Sequence, residues 1–482
     1  MIPIIYKLRE GLRFEREQDS VLVVSEVPLN VVRVSRRAAA ILDLCDGIRT
    51  LQEISDRIGI REEDQTFRIC DYFNKKGYLE TALPKSQGPY PFVTVIIPAR
   101  DRKDALAECL DSVFSQDYPA DRIETIVCDD GSRDGTRNLE QLHACRLFLN
   151  QESRGQSYCR NRAANSAKGE ILAFLDSDCV AGRSWLNDLV PCFRWDRIGA
   201  VGGYVDGYSI QSGLDRYDRV FSSLNLGRYI QLGKNDGSDF YIPTCNMLIR
   251  KDIFLKLEGL RESLHLGEDV DFCWRMRKTG QYALYVPSGE VRHKHRNRLG
   301  PMLRRRFDYG TSEATLFKLH RDKGKDLQMR PLPTIAFAGL CLSLLLLEPL
   351  LFLAPAGCFL FEAAMKTSKL RRRDIRIPVW RVLYSMTRVY LSFFYYLAFH
   401  FVRYYLIALL LLGFVLHSLW LTGFLLLIYA ALVDYSMERP GLSFPLFLLY
   451  YALDHISYQI GVLVGCVSKK SFRPYRIRSI SG

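Results

Sequence analysis

Asp176-Ser177-Asp178 closes the apolar run Ile171-Leu172-Ala173-Phe174-Leu175. A short apolar run bounded by polar residues reads as a buried strand. Both carboxylates then stand at a strand's carboxyl end, where open α/β sheets collect their ligands. Hard oxygen donors in a D-x-D pair suit a divalent cation, Mg2+ or Mn2+, that holds a diphosphate. A second acidic pair, Glu268-Asp269, follows Gly267 and precedes Val270-Asp271-Phe272-Cys273-Trp274-Arg275. A carboxylate at a helix start is stabilised as an anion by the helix dipole. It can then accept a proton near neutral pH.

These groups need a frame. Phe92 to Ala99 is β-branched and interrupted by Pro98, with Arg100 and Asp101 following. Asp104 to Phe114 reads as a helix, with apolar residues at 106, 110, 113 and 114. Ile126-Val127-Cys128-Asp129-Asp130-Gly131 is a second strand that ends in acid and a glycine turn. The strand–helix–strand rhythm predicts an α/β domain with a parallel sheet. Asp101, Asp129 and Asp130 would face the crevice and accept hydrogen bonds from a base or ribose. Asp129 and Asp134 are equally suited to making a turn. Gly155 to Asn161 opens a further helix to about Ala167, whose Arg160 and Asn161 face either phosphates or the sheet.

In order and spacing, residues 92 to 320 resemble the family-2 glycosyltransferases, inverting enzymes on one GT-A nucleotide-binding α/β domain. The resemblance implies nucleotide-sugar contacts at Pro98, Arg100, Asp101, Asp129, Asp130, Arg160 and Asp176. It implies a metal at Asp178, Asp176 and His293, with Asp178 the direct ligand, and Asp269 as catalytic base. His295 competes with His293. Glu268 and Trp274 would meet the acceptor; Trp274 also suits a core position. The implied reaction is a single displacement at the anomeric carbon of a UDP-sugar, with inversion.

The chain has 482 residues and a net charge of +13. Residues 290–330 hold 12 Lys/Arg against 5 Asp/Glu, 366–381 hold 7 against 1, and 469–482 hold 5 against none. The remainder is therefore slightly acidic. These basic stretches flank apolar ones, which points to an anionic membrane surface and not to nucleic acid. Thirteen scattered cysteines, with no C-x-x-C pair, suit a reduced cytoplasmic catalytic domain. No charged-then-apolar secretory signal opens the sequence.

From Pro331 onward the chain turns apolar. Thr334 to Ala364, broken at Glu348-Pro349, predicts a broken or re-entrant hairpin. Lys366 to Arg381 should be cytoplasmic, and Tyr390 to Tyr405 should lie in the interface. Leu406 to Val433 and Leu442 to Val467 read as two spans, giving an even number of crossings with both flanks inside. The sequence lacks the Q-x-x-R-W motif of processive, translocating relatives, so these helices are expected to anchor. The expected location is the cytoplasmic (inner) membrane, with the catalytic domain facing the cytoplasm.

Residues 1–82 read as a small winged-helix-like domain and 83–91 as a linker, with the transferase over 92–330 and the membrane-associated helices over 331–482. Strands are expected at Ser20–Val24 and Val31–Val34. Helices are expected from Ser35 to Cys45, from a Thr50–Glu53 capping box, and over 62–76. The acidic start of the third helix suits DNA poorly. The pattern resembles domains that bind ribosomally made precursor peptides by strand addition, here beside Val21 to Val24 and the Leu42 face. The whole order of parts resembles the glycosyltransferases of the mycofactocin system. That implies glucose passing from UDP-glucose to a peptide-derived redox cofactor, building a β-1,4-linked oligoglucoside. Two alternatives stand beside it: a cell-envelope transferase with a lipid-linked or polysaccharide acceptor, and a non-catalytic membrane scaffold that binds a precursor peptide.

Overall fold

The computed structural model describes residues 4–26, 29–60, 63–82, 90–141, 145–227, 229–233, 240–294, 298–372 and 377–481. His295, Glu62 and most of the 83–91 linker lie outside them. The chain divides into two compact units. One comprises residues 1–9 and 37–297, and the other 10–36 and 298–482. Residues 1–82 are thus shared between the two.

In the first unit an eight-stranded sheet runs in the order Gln231–Gly233, Tyr282–Tyr285, Ile198–Gly202, Asn246–Arg250, Ile171–Leu175, Val93–Ala99, Ile123–Asp129 and Arg146–Leu149. The last four are mutually parallel, as the rhythm of the sequence predicts. Asn246–Arg250 runs antiparallel to both its neighbours, so the sheet is mixed. Val93–Ala99 and Ile171–Leu175 are buried almost throughout, which is why they carry no polar alternation. Helices Lys103–Phe114 and Gln156–Ser166 return the chain between parallel strands. Phe174, Phe254 and Phe272 lock the sheet to its helical layer, with ring centroids 5.3 Å apart in each successive pair.

The same unit carries the front helices Arg36–Leu44, Leu51–Ile58 and Glu63–Lys75. Strand Ile5–Leu8 pairs with Asp46–Thr50 and with Leu79–Ala82. Thr50 and Glu53 form the expected capping box, and Gly59 ends that helix in the left-handed region. Phe67 rests on Trp195 with centroids 5.3 Å apart, tying the third helix to the transferase region.

The second unit joins a three-stranded sheet, Leu12–Arg16, Ser20–Glu26 and Leu29–Ser35, to the apolar helices. Ser20–Glu26 is the middle strand, and Val21 to Val24 are buried. The expected peptide-contact strand is therefore paired on both edges; hydrophobicity marked it as a strand but not as a central one. The apolar helices are Pro331–Leu346, Leu353–Arg371, Val379–Tyr404, Leu406–Leu412, Ser418–Glu438 and Phe444–Lys469. Among the described residues, three are long and apolar enough to cross a membrane, or four if the pair Val379–Tyr404 and Leu406–Leu412, bent by 74°, counts as one span. The expected continuous span from Leu406 to Val433 is interrupted at residues 413–417. Helix Leu299–Leu319 lies along Phe444–Lys469, with Gly310 and Gly461 letting the two backbones meet.

Candidate active site

The D-x-D pair emerges where the fully buried strand Ile171–Leu175 ends. Directly after it, Cys179–Ala181 pairs with Val291–His293, which pairs in turn with Val205–Gly207. Register sets His293 opposite Cys179. Its Nε2 consequently lies 3.5 Å from Asp178 Oδ1. Arg102 Nη2 approaches the other oxygen of Asp178 at 3.8 Å.

Asp178, Cys179 and His293 form a group whose donor atoms all lie within 4.8 Å of one another. Carboxylate and imidazole fit Mg2+ or Mn2+. The thiol does not: burial first, then its contact with Cys245, drives the Cys179 pKa well above its ordinary value. A hard cation would draw on Asp178 and His293, with Asp176 on the same turn.

Asp176 faces inward toward Arg160, whose Nη2 donates to Asp176 Oδ1 at 2.5 Å. The Arg160 Nη1 donates to Glu268 Oε1 at 3.2 Å. Arg160 is wholly buried, on helix Gln156–Ser166, and ties the D-x-D turn to the second acidic pair. The sequence left its target open between phosphates and the sheet. In the structure it serves two carboxylates. Gln156, assigned no role from the sequence, donates to the same Glu268 oxygen at 2.6 Å. Only a shared neighbour reveals that role, since no local pattern marks it.

Glu268 and Asp269 divide along the first turn of helix Glu268–Lys278. Glu268 is buried, and its pKa is pushed up to about 7 by burial first and by the Asp269 charge next, with Arg160 pulling the other way. Its Oε1 is occupied by the Arg160 and Gln156 side chains. Asp269 is half-buried, and its Oδ1 accepts from the Val270 N–H at 2.8 Å. Trp274 is buried on the same helix, at the core position that the sequence allowed.

The acids expected on the nucleoside side are tied into the chain. Asp130 accepts from Asn150 Nδ2, Ser153 Oγ and the N–H groups of Arg154 and Gly155, at 2.7 to 2.9 Å. Burial alone would raise its pKa, but these donors hold it below the ordinary value. Asp129 is fully buried, accepting from the Ser132 N–H and from Arg137 Nε at 3.0 Å. Asp101 stays open to solvent with a positive φ of 50°. Its Oδ1 accepts from the Arg133 N–H at 2.8 Å, which joins the two strand-end loops. Arg100 is exposed beside it, and Pro98 half-buried. Asp129 and Asp130 thus shape the crevice, and Asp101 borders it. A cavity of about 750 Å³, lined by Tyr90, Tyr118, Arg122, Glu170 and Arg250 among others, lies at the opposite end of the parallel strands.

Residues 94–257 match the family described as "Glycosyl transferase family 2". The chain is 30% identical over 247 residues to the pre-mycofactocin glycosyltransferase of Mycobacterium tuberculosis, covering 50% of each. It is 28% identical over 236 residues to the glycosyltransferase AglE of Haloferax volcanii, covering 48% of this chain and 76% of that one. The chain thus spans about half the length of the mycobacterial relative. Among solved structures, a Pyrobaculum calidifontis mannosyltransferase in complex with GDP-mannose and Mn2+ aligns at 21% identity and a TM-score of 0.39, over 64% of this chain and 90% of that one. Residues 94–257 thus combine a match to the family 2 glycosyltransferases with a mixed α/β sheet of the GT-A kind.

Proposed function

We propose that the chain is a metal-dependent, inverting glycosyltransferase that moves a sugar from a nucleoside diphosphate to an acceptor hydroxyl. The observation that carries this reading is the division of labour at Glu268–Asp269. The first carboxyl is sealed against Arg160, and the second is left half-open at a helix start. Asp269 removes the proton of the acceptor hydroxyl as that oxygen attacks the anomeric carbon. Arg160 fixes Asp176 and Glu268, so the crevice floor need not reorganise during transfer. A divalent ion held by Asp178 and His293 would offset the charge growing on the leaving diphosphate. With one base and no carboxylate assigned as nucleophile, the product configuration is inverted.

The finer reading takes UDP-glucose as donor and a peptide-derived redox cofactor of mycofactocin type as acceptor, built into a β-1,4-linked oligoglucoside. The mycobacterial relative supports it. Recognition of a precursor peptide by the front of the chain belongs to the same reading. The outer strands Leu12–Arg16 and Leu29–Ser35, each paired on one edge among the described residues, would be the ones to accept an added strand.

The test is a panel of nucleotide sugars with Mg2+ or Mn2+ and a mycofactocin-type aglycone, followed by mass. Stepwise hexose additions from UDP-glucose are expected. Asp269→Asn should lower turnover by about 10²- to 10⁴-fold. Donor hydrolysis without transfer would keep the catalytic reading and reject this acceptor. An unaltered Asp269→Asn rate would remove the base assignment.

A further inference from the structure

We propose that the apolar helices embed the protein in one leaflet only. Two helical fingers dip into the hydrocarbon and return, and no described segment between residues 331 and 469 emerges on the far side.

The ends of the region fix its sidedness. Lys325–Met329, just before the first apolar helix, pairs in parallel with Ile477–Ser481, just after the last. The two flanks therefore lie on one side.

The first finger is Pro331–Leu346 and Leu353–Arg371, joined at Leu347 with a positive φ of 56°. Its base is covered. Leu22 of the front sheet packs with Ala336, Ala363, Leu370, Val382 and Met386. That sheet carries exposed Arg13 and Arg33 and belongs in water. Only about ten residues of each leg extend past Ala336 and Ala363. At about 1.5 Å per residue this is about 15 Å, half of the roughly 30 Å hydrocarbon core. The tip is apolar and bare: Leu347, Leu350 and Leu353 are 66%, 73% and 69% exposed. Glu348 is the one acidic or basic residue between Pro331 and Phe361.

Helix Val379–Tyr404 is tied down at both ends. Near its start Val382 and Met386 join the sheet-covered cluster. At its finish Tyr404 donates to Glu313 at 3.0 Å, and Arg403 pairs with Asp454 at 3.3 Å. Asp454 also receives Arg306 at 2.8 Å, from the helix that follows the transferase region in sequence. This helix therefore lies along the surface.

The chain then bends by 74° into Leu406–Leu412 and comes back as Ser418–Glu438. The returning helix is held to the surface one by Tyr429 on the Leu391 carbonyl at 2.8 Å and by Tyr395 on Asp434. The free part is again about eleven residues per leg, or about 16 Å. Phe414 and Val415 at this tip are 72% and 85% exposed, with no Asp, Glu, Lys or Arg from Tyr404 to Val433. A loop emerging into water would not be built this way. Phe444–Lys469 runs beside the surface helices, with Ser457 donating to the Leu303 carbonyl and Gln459 to the Val402 carbonyl.

The experiment uses the full chain in sealed membrane vesicles with a membrane-impermeant maleimide. Label gained by Leu350→Cys, Val415→Cys, Met437→Cys and Lys470→Cys is measured against the unsubstituted chain. Positions 350 and 415 should gain none from either side, whether vesicles are sealed or opened, and should label only in detergent. Positions 437 and 470 should label from one and the same side. Labelling of 350 or 415 without detergent, or of 437 and 470 from opposite sides, overturns the proposal. Leu353→Cys and Phe414→Cys repeat the test should either tip variant aggregate.

Discussion

His293 Nε2 stands 3.5 Å from Asp178 Oδ1, held there by the register that sets His293 opposite Cys179. One residue comes from the end of a core strand and the other from a short accessory strand, so cation affinity should depend on both. His293→Ala should weaken Mn2+ binding by about tenfold or more, read by titration of the purified protein. Asp178→Ala should do so more severely. Neither should shift the melting temperature much without metal, since both side chains are partly exposed.

Arg160 joins Asp176 and Glu268 from a wholly buried position. Arg160→Met keeps the bulk but leaves two carboxylates facing each other without a cation. Removing one partner of a buried ionic group costs about 3–5 kcal/mol. That exceeds anything the added apolar contact returns. A large fall in the denaturant midpoint is expected, with loss of turnover. Arg160→Lys should recover only part, because one ammonium cannot reproduce two divergent guanidinium bonds.

Glu268 carries a pH signature. Its pKa rises from 4.5 to about 7 on folding. The folded state therefore holds the extra proton. This contribution is complete below the unfolded value and is lost as pH rises through about 7. Glu268→Gln cannot ionise, so the melting temperature of the native chain should fall relative to that variant between about pH 5 and pH 8. Parallel curves would refute the assignment.

Gly461 and Gly310 permit a close backbone approach of two helices in the second unit. A methyl at Gly461 would run into the Phe307 carbonyl, and one at Gly310 into the Tyr458 carbonyl. Alanine gains up to about 1 kcal/mol of helix propensity. Backbone cannot yield as a side chain can, and overpacking costs about 1–3 kcal/mol. Gly461→Ala should thus destabilise the detergent-solubilised protein, checked by its thermal midpoint.

Much of the site's frame was legible in local pattern. The buried run before Asp176 and the glycine before Glu268 each placed a carboxylate on the right element. The Thr50–Glu53 cap and the helix at 103–114 followed from spacing alone. What escaped depends on partners distant in sequence. Periodicity does not say that Asp130 spends its oxygens on the 150–155 loop, or that Gln156 reaches Glu268. Nor does it say that Val21 to Val24 form a middle strand, because a buried central strand and a buried edge share one composition. The break at 413–417 escaped because its residues are as apolar as the helices around it.

The parallel ladder between Lys325–Met329 and Ile477–Ser481 also constrains how the second unit is made. Its partners are about 150 residues apart, and closing so long a loop is entropically costly. The intervening helices must first bring the ends together. At synthesis rates of about 5–20 residues per second, the earlier strand waits many seconds for its mate. During that interval it offers an unpaired edge to any other extended segment. Residues 321–330 on that waiting stretch carry four Lys/Arg against Asp322 and Asp326, a net positive charge whose repulsion between newly made copies discourages mispairing.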